Sequence, residues 1–239
     1  MMSSNSNLLF RFKLFTVAND RCAMKVNTDG VLLGAWQQGN TARYILDIGT
    51  GTGVLTLMMA QKNRDATIDA IDIEEEAYLQ AQQNFMNSPW ANRLNAFHTS
   101  LQNFNADTKY DVIISNPPYF IDDFTSSNQQ RNLARHSIAL SYDDLIEGIE
   151  RLLCDTGIVW VVIPIFNVDL FNRIAAKKRL FITQRTDVIS VNGKPPYLAL
   201  LKLQRIERPY IIDYLEIQNV DGSFSQQYIN LTKDFYLKF

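Results

Sequence analysis

Four consecutive residues, Asn116-Pro117-Pro118-Tyr119, hold groups that could act on a planar amino group. The Asn116 side chain offers a carbonyl acceptor. Pro117 offers a backbone carbonyl with no N–H of its own. Tyr119 offers a flat face. Two acceptors side by side can take both hydrogens of an amino group while the aromatic face stacks on the ring that carries it. Moving a methyl group onto the amino nitrogen of a nucleobase, or onto a glutamine amide, requires that arrangement. The plain alternative is a rigid turn with no chemistry, and four residues alone do not decide between the two.

The deciding context lies upstream. Asp47-Ile48-Gly49-Thr50-Gly51-Thr52-Gly53 follows the apolar run Tyr44-Ile45-Leu46 and precedes the helical pattern Val54 to Ala60. Glycines let a backbone approach a ligand closely. The spacing Gly49-x-Gly51-x-Gly53 is not the GxGxxG dinucleotide fingerprint. Asp47 would repel a pyrophosphate at this turn and welcome an amino-acid ammonium, which points to S-adenosylmethionine over NAD. Asp72 closes the next strand, Thr67 to Ile73, near the offset of ~20 residues at which an acid takes ribose hydroxyls. Glu74 is the fallback for that role. Lys25 stands just before Thr28-Asp29-Gly30, where a helix N-terminus suits a ligand carboxylate. Thr28 or Asp29 reads as the cap of that helix, and capping alone would account for both.

The elements that must carry these residues alternate. Tyr110 to Ser115 reads as a buried strand, and the two prolines stop it because neither can donate to a sheet ladder. Its exit then lies where open α/β sheets bind ligands, at the carboxyl ends of the strands. Leu94 to Thr99 is a third strand, with Ser100-Leu101 as its exit. His98 stands alone, which favours a packed or surface role. Glu75 to Asn87, Tyr142 to Leu153 and Val168 to Lys178 read as helices, and Gly157 to Pro164 as a fifth strand. Phe181 to Val191 and Tyr197 to Ile206 form a closing antiparallel pair. Tyr210 to Phe239 holds a short strand and a terminal helix from about Ser225. Leu8 to Phe15 is an edge strand or hairpin arm. Phe120 to Gln130 reads as a mobile loop beside the site. The expected division is an arm and cofactor-covering segment, 1–40, before a main domain, 41–239.

Composition bounds the partners. The net charge is −2 over 239 residues, so a nucleic acid would have to be gripped by local groups. Arg11, Lys13, Arg21, Arg131 and Arg135 are the candidates. Lys177-Lys178-Arg179 complements a helix dipole and needs no partner. The two cysteines, Cys22 and Cys154, lack metal-ligand spacing and fit a reducing compartment. No apolar run approaches a membrane span, and the N-terminus has no signal-peptide pattern. These features predict a cytoplasmic protein without a metal, with a monomer favoured.

Strand and helix in alternation, closed by a hairpin, resemble the class I S-adenosylmethionine-dependent methyltransferase fold. That fold is α/β and Rossmann-like, with a seven-stranded, mostly parallel sheet and a closing antiparallel hairpin. Asn116 to Tyr119 resembles the motif of amino-group methyltransferases. Asp20 to Val26, Thr28-Asp29-Gly30, Leu32 to Trp36, Ser88 to Ala91, Ile113 to Tyr119 and Phe235-Tyr236-Leu237 resemble, more narrowly, the bacterial tRNA(Val) adenine-N6 methyltransferase family. Asp20 to Trp36 is specific, because it lies outside the shared cofactor core. The resemblance implies cofactor contacts at Lys25, Thr28, Asp29, Asp47, Gly49, Thr50, Gly51, Gly53, Asp72, Ile73, Ser100, Leu101 and Asn116. It implies catalysis at Asn116, Pro117, Pro118 and Tyr119 by direct transfer that needs no metal. Tyr119 or Phe120 would stack on an unpaired adenine of the anticodon loop, with Arg11, Lys13, Arg21, Arg131 and Arg135 around it. Ser100 departs from the family, which carries an acid there against the cofactor's adenine.

Two other substrates share the tetrapeptide. Release-factor glutamine methyltransferases have it, but usually with a separate helical domain, and only about 40 residues precede the first core strand here. Adenine-N6 methyltransferases acting on DNA or rRNA are the other alternative, but no extra DNA-recognition domain is evident. A non-catalytic cofactor- or RNA-binding module would not need an intact Asn116-Pro117-Pro118-Tyr119.

Overall fold

The computed structural model describes residues 8–22, 24–39, 41–118 and 140–239. An antiparallel hairpin comes first, β1 (Leu9–Arg11) with β2 (Thr16–Ala18). Helix α1 (Thr28–Trp36) follows, then β3 (Tyr44–Ile48), α2 (Val54–Lys62), β4 (Thr67–Asp72), α3 (Glu75–Met86), β5 (Leu94–His98) and β6 (Tyr110–Ser115). After these come α4 (Tyr142–Leu152), β7 (Leu153–Pro164), α5 (Val168–Lys177), β8 (Phe181–Val191), β9 (Leu198–Gln204), β10 (Ile212–Gln218) and α6 (Gln226–Thr232).

Among the described residues one sheet has eight strands in the order β10-β8-β9-β7-β6-β3-β4-β5. Only β9 runs antiparallel to its neighbours. The seven-strand expectation is therefore one short. The segment after Tyr210 adds β10, which pairs parallel with β8 at the sheet edge. Its apolar residues Leu215 and Ile217 find a core only by joining the sheet.

Parallel strands covered on both faces read as continuous apolar runs, and here the period of two sorts each strand between two layers. In β7, Trp160 and Val162 pack with α1, α2 and the arm, whereas Val159, Val161 and Ile163 pack with α4 and α5. Helix ends are secured locally. Ser141 caps α4 by accepting from Asp144 N, and Ser225 caps α6 by accepting from Tyr228 N. Arg93, a role hidden in the sequence, closes α2 by donating to the carbonyls of Ala60, Asn63 and Ala66.

The cap of α1 is a correction. Asn27, with extended backbone, accepts from Gly30 N at 2.9 Å. Thr28 and Asp29, read as caps, are the first helical residues. No helix among the described residues is long and apolar enough to cross a membrane.

Candidate active site

Strand register assembles the site. Ile48 of β3 is level with Ile71 of β4 and Ser115 of β6. The next residue on each strand is Gly49, Asp72 and Asn116. Adjacent strands lie about 4.8 Å apart, so the three emerge as one row at the carboxyl edge. Ser115 fixes this edge by donating its hydroxyl to the Ile48 carbonyl at 2.8 Å, inside a fully buried contact. Pro117 is buried and Pro118 exposed just beyond.

The glycine turn is wound tightly on itself. Gly49, Gly51 and Gly53 all have positive φ, at 71°, 56° and 81°. Gly49 N and Thr50 N donate to the Ile71 carbonyl, Gly51 N to Asp72 Oδ2, and Gly53 N to the Thr50 carbonyl. These N–H groups are used within the protein and cannot cradle a phosphate. A ligand without phosphates suits the turn, which is the property that separates S-adenosylmethionine from a dinucleotide. Among the described residues a Cβ on Gly49 would meet nothing within 4 Å, so the turn is open at that point.

Asp47 lies under the turn, fully buried. Its Oδ2 accepts from the hydroxyls of Thr50 and Thr56, each at 2.8 Å. Its Oδ1 is buried with no hydrogen-bond partner among the described residues. Burial pushes the carboxyl up to about 6; the two hydroxyls oppose that rise and the charge of Asp72 adds to it. A buried acceptor without a donor is costly. An ammonium at this end of β3 would supply the missing donor.

Asp72 is held by backbone N–H groups of Gly51 at 2.8 Å and Glu74 at 3.0 Å. Burial raises its pKa against those bonds. A carboxylate has about four lone-pair sites, so these bonds leave capacity to accept ribose hydroxyls. Ile73 follows it, 49% exposed, with its carbonyl 3.1 Å from His98 Nε2. His98 stacks on Tyr78 at 5.8 Å between centroids, so the lone histidine positions the end of β4. Ser100 begins the next loop, its hydroxyl accepting from Asn103 N at 3.3 Å. Leu101 is buried there. Arg151 locks this loop by donating to the carbonyls of Leu101 and Phe104.

The arm closes over the row. Gly30 of α1 meets Asn116: a Cβ at Gly30 would lie 3.6 Å from Asn116 Nδ2 and 3.3 Å from Asn27 Oδ1. Cys22 Sγ would lie 3.6 Å from a Cβ on Gly51. Lys25 and Thr28 are exposed and Asp29 half-buried beside them. Two buried amides of α3, which the sequence presents as ordinary helix polar residues, tie the arm down. Asn84 donates to the carbonyls of Ala18 and Thr52 and accepts from Ala18 N; Gln80 accepts from Arg21 N.

This docking divides the basic candidates. Arg21 sits one residue from Cys22 and close to the turn. Lys13 lies elsewhere. Its N–H donates to the Phe235 carbonyl and its ammonium to the Lys233 and Phe239 carbonyls. The adjoining Asp234 carbonyl accepts from Gln61, at the C-terminal end of α2. That end leads into the start of β4, so Lys13 and its neighbour Arg11 belong to the amino side of the sheet. The structure therefore does not bring Lys13 into the row of Gly49, Asp72 and Asn116. Tyr119, Phe120, Arg131 and Arg135, and the loop read from Phe120 to Gln130, lie outside the described residues.

Gly53 offers a test of the turn. A Cβ there would come within 2.5 Å of Phe85 Cε1, in a left-handed conformation that side chains resist. Gly53→Ala is expected to lower stability by about 2–4 kcal/mol, combining strain and overpacking. Urea denaturation measures it; an unchanged midpoint would contradict the packing described.

A parallel sheet with one reversed strand near its edge, a glycine turn with its N–H groups bonded internally over a buried acid, and an acid ending the next strand define a class I methyltransferase. The fold match agrees: a predicted O-methyltransferase from Agrobacterium tumefaciens superposes with a TM-score of 0.66 over 87% of this chain and 96% of that one, at 14% identity. A family model, the methyltransferase small domain, matches residues 22–166. A Parabacteroides distasonis protein named tRNA1(Val) (adenine(37)-N6)-methyltransferase is 42% identical over 98% of this chain and 99% of its own. A Phocaeicola vulgatus protein of the same name is 44% identical over 97% and 98%. The chain belongs to this tRNA1(Val) (adenine(37)-N6)-methyltransferase family, within the methyltransferase small domain.

Proposed function

We propose that the protein transfers a methyl group from S-adenosylmethionine to the exocyclic N6 amine of adenine 37, in the anticodon loop of a valine tRNA. The observation that carries this reading is the shared row of Gly49, Asp72 and Asn116, set by the register of β3, β4 and β6. It sets the acceptor pair of the tetrapeptide beside the residues suited to the cofactor. The names of the relatives supply the nucleotide and the tRNA.

In the proposed arrangement Asp47 faces the ammonium of the cofactor, and Lys25 with the start of α1 faces its carboxylate. Asp72 takes the ribose hydroxyls, while Ile73, Ser100 and Leu101 border the adenine. When bound, S-adenosylmethionine supplies an electrophilic methyl group. The chain's own contribution is to the nucleophile. An amine conjugated to adenine is a weak nucleophile; acceptance of its two hydrogens by Asn116 and the Pro117 carbonyl draws it toward a pyramidal geometry and frees the lone pair. Orientation and electrostatics supply the rate. Tyr119 or Phe120 stacks on the unstacked base, whose extrusion costs less in a single-stranded loop. Arg21, Arg131 and Arg135 hold phosphates. A cytoplasmic location fits the two free thiols, Cys22 and Cys154.

Incubation with methyl-labelled S-adenosylmethionine and total tRNA, total protein or DNA tests the substrate class. Label in tRNA is expected. Label in protein or DNA instead would transfer the same chemistry to glutamine or to a DNA base and refute the RNA assignment.

A further inference from the structure

The end of β7 presents an aromatic side chain to solvent from a rigid mount. Pro164 closes the strand, and a single 3₁₀ turn, Ile165–Asn167, leads into α5. Phe166, at the centre of the turn, is 69% exposed. The residues on either side of it are fastened. Ile165 N donates to the Tyr197 carbonyl at 3.0 Å, and Asn167 Nδ2 donates to the Tyr142 hydroxyl at 3.2 Å. An exposed phenylalanine on a loose loop would fold back onto the surface; here the backbone cannot. Leu170, one turn on, is also exposed at 42%.

This mount lies beside the site. β7 runs parallel to β6 with Val161 level with Ser115, so Pro164 lies two residues beyond the level of Asn116 on the adjoining strand. At about 3.3 Å per residue and 4.8 Å between strands, Phe166 stands within about 10–15 Å of Asn116. That distance is one to two nucleotide steps. A second connection leads the same way. Tyr197 holds Ile165, and its hydroxyl, raised chiefly by burial, also senses the charge of Asp29, the neighbour of Gly30 that meets Asn116. The β8–β9 turn that delivers Tyr197 carries the exposed Lys194 three residues earlier.

We propose that Phe166 is a stacking platform for a base next to the target adenine, with Lys194 on the phosphate that joins them. The proposal rests on the tRNA reading above and deepens it. The partner is single-stranded RNA: a flat apolar face and a lysine stand at the same edge of the sheet as Asn116, the acceptor proposed for the target base, and aromatic stacking with a cation on the backbone is how such strands are held. Extruding the target breaks its stack with a neighbour, and Phe166 replaces the lost face.

The experiment is steady-state methylation of the tRNA by the full chain, with wild type alongside Phe166→Ala, Phe166→Trp, Phe166→Leu and Lys194→Ala. Phe166→Ala is expected to raise the KM for tRNA by about five- to 150-fold, the range of one base–aromatic stack. Affinity for S-adenosylmethionine, read by calorimetry, and the melting temperature should stay at wild-type values. Tryptophan should restore the KM and leucine should not. Lys194→Ala should reduce the log–log salt slope of tRNA binding by about one unit. A Phe166→Ala enzyme with the wild-type KM for tRNA overturns the platform. Full restoration by leucine also overturns it, by revealing an apolar protein contact. If wild type itself methylates no tRNA, the parent reading fails, and the platform with it; normal wild-type turnover with an indifferent Phe166 removes this proposal alone.

Discussion

Asn116→Ala is expected to reduce kcat by at least about 10²-fold, the cost of removing one preorganised polar contact to a transition state. Affinity for S-adenosylmethionine should stay within about tenfold, because the lost acceptor acts on the nucleophile and a contact of that kind appears in kcat more than in binding. The strand beneath is anchored independently, since Ser115 bonds the Ile48 carbonyl and β6 is paired on both sides. Loss of the fold is therefore not expected, and a thermal melt run in parallel checks it. Single-turnover kinetics with saturating tRNA gives the rate. Wild-type turnover in a folded Asn116→Ala protein would make the tetrapeptide a structural turn.

Asp47→Asn is expected to stabilise the free protein and weaken the cofactor. In the fold Asp47 keeps its proton up to about pH 6; in the unfolded chain it loses it near 4. Between these values the folded state binds more protons, so stability falls as pH rises from about 4 to 6. Above pH 6 the burial cost is present in full, about 3 kcal/mol at 1.36 kcal/mol per pH unit. Asparagine removes the charge while its oxygen can still accept from Thr50 or Thr56. Melts of the free protein at pH 4.5 and 7.5 should show this contribution disappear in the mutant. Loss of a charge-assisted contact, about 1.5–3 kcal/mol, should weaken S-adenosylmethionine about ten- to 150-fold in calorimetry. A mutant that binds the cofactor as wild type does would separate Asp47 from the ligand.

The site was legible where local sequence determines local geometry. Glycines at positive φ, an acid before them and a strand stopped by Pro117 leave little freedom, and register then brings Gly49, Asp72 and Asn116 into one row. What escaped depends on tertiary contacts. Thr28, Asp29 and Asn27 are all good caps, and only the extended backbone at Asn27 selects it. Arg11 and Lys13 read as flanking cations, but the path of their hairpin is set by Asn84 and Gln80, which on a helix look like solvent-facing amides. β10 is legible only as a short strand, because its partner, β8, lies more than 20 residues earlier in the chain. Phe166 is not legible in the sequence, because a lone aromatic after a strand carries no pattern; its fixed, exposed position comes from the bonds that fasten Ile165 and Asn167.

The central claim is N6 methylation of one adenine, and nucleoside mass spectrometry of the RNA product tests it most directly. Two transcripts of the valine tRNA would be incubated with the protein and S-adenosylmethionine, one with adenosine and one with guanosine at position 37. The expected result is N6-methyladenosine in the first transcript and no methylated nucleoside in the second. Equal methylation of both transcripts, or a methyl group on any atom other than the exocyclic nitrogen, would contradict it.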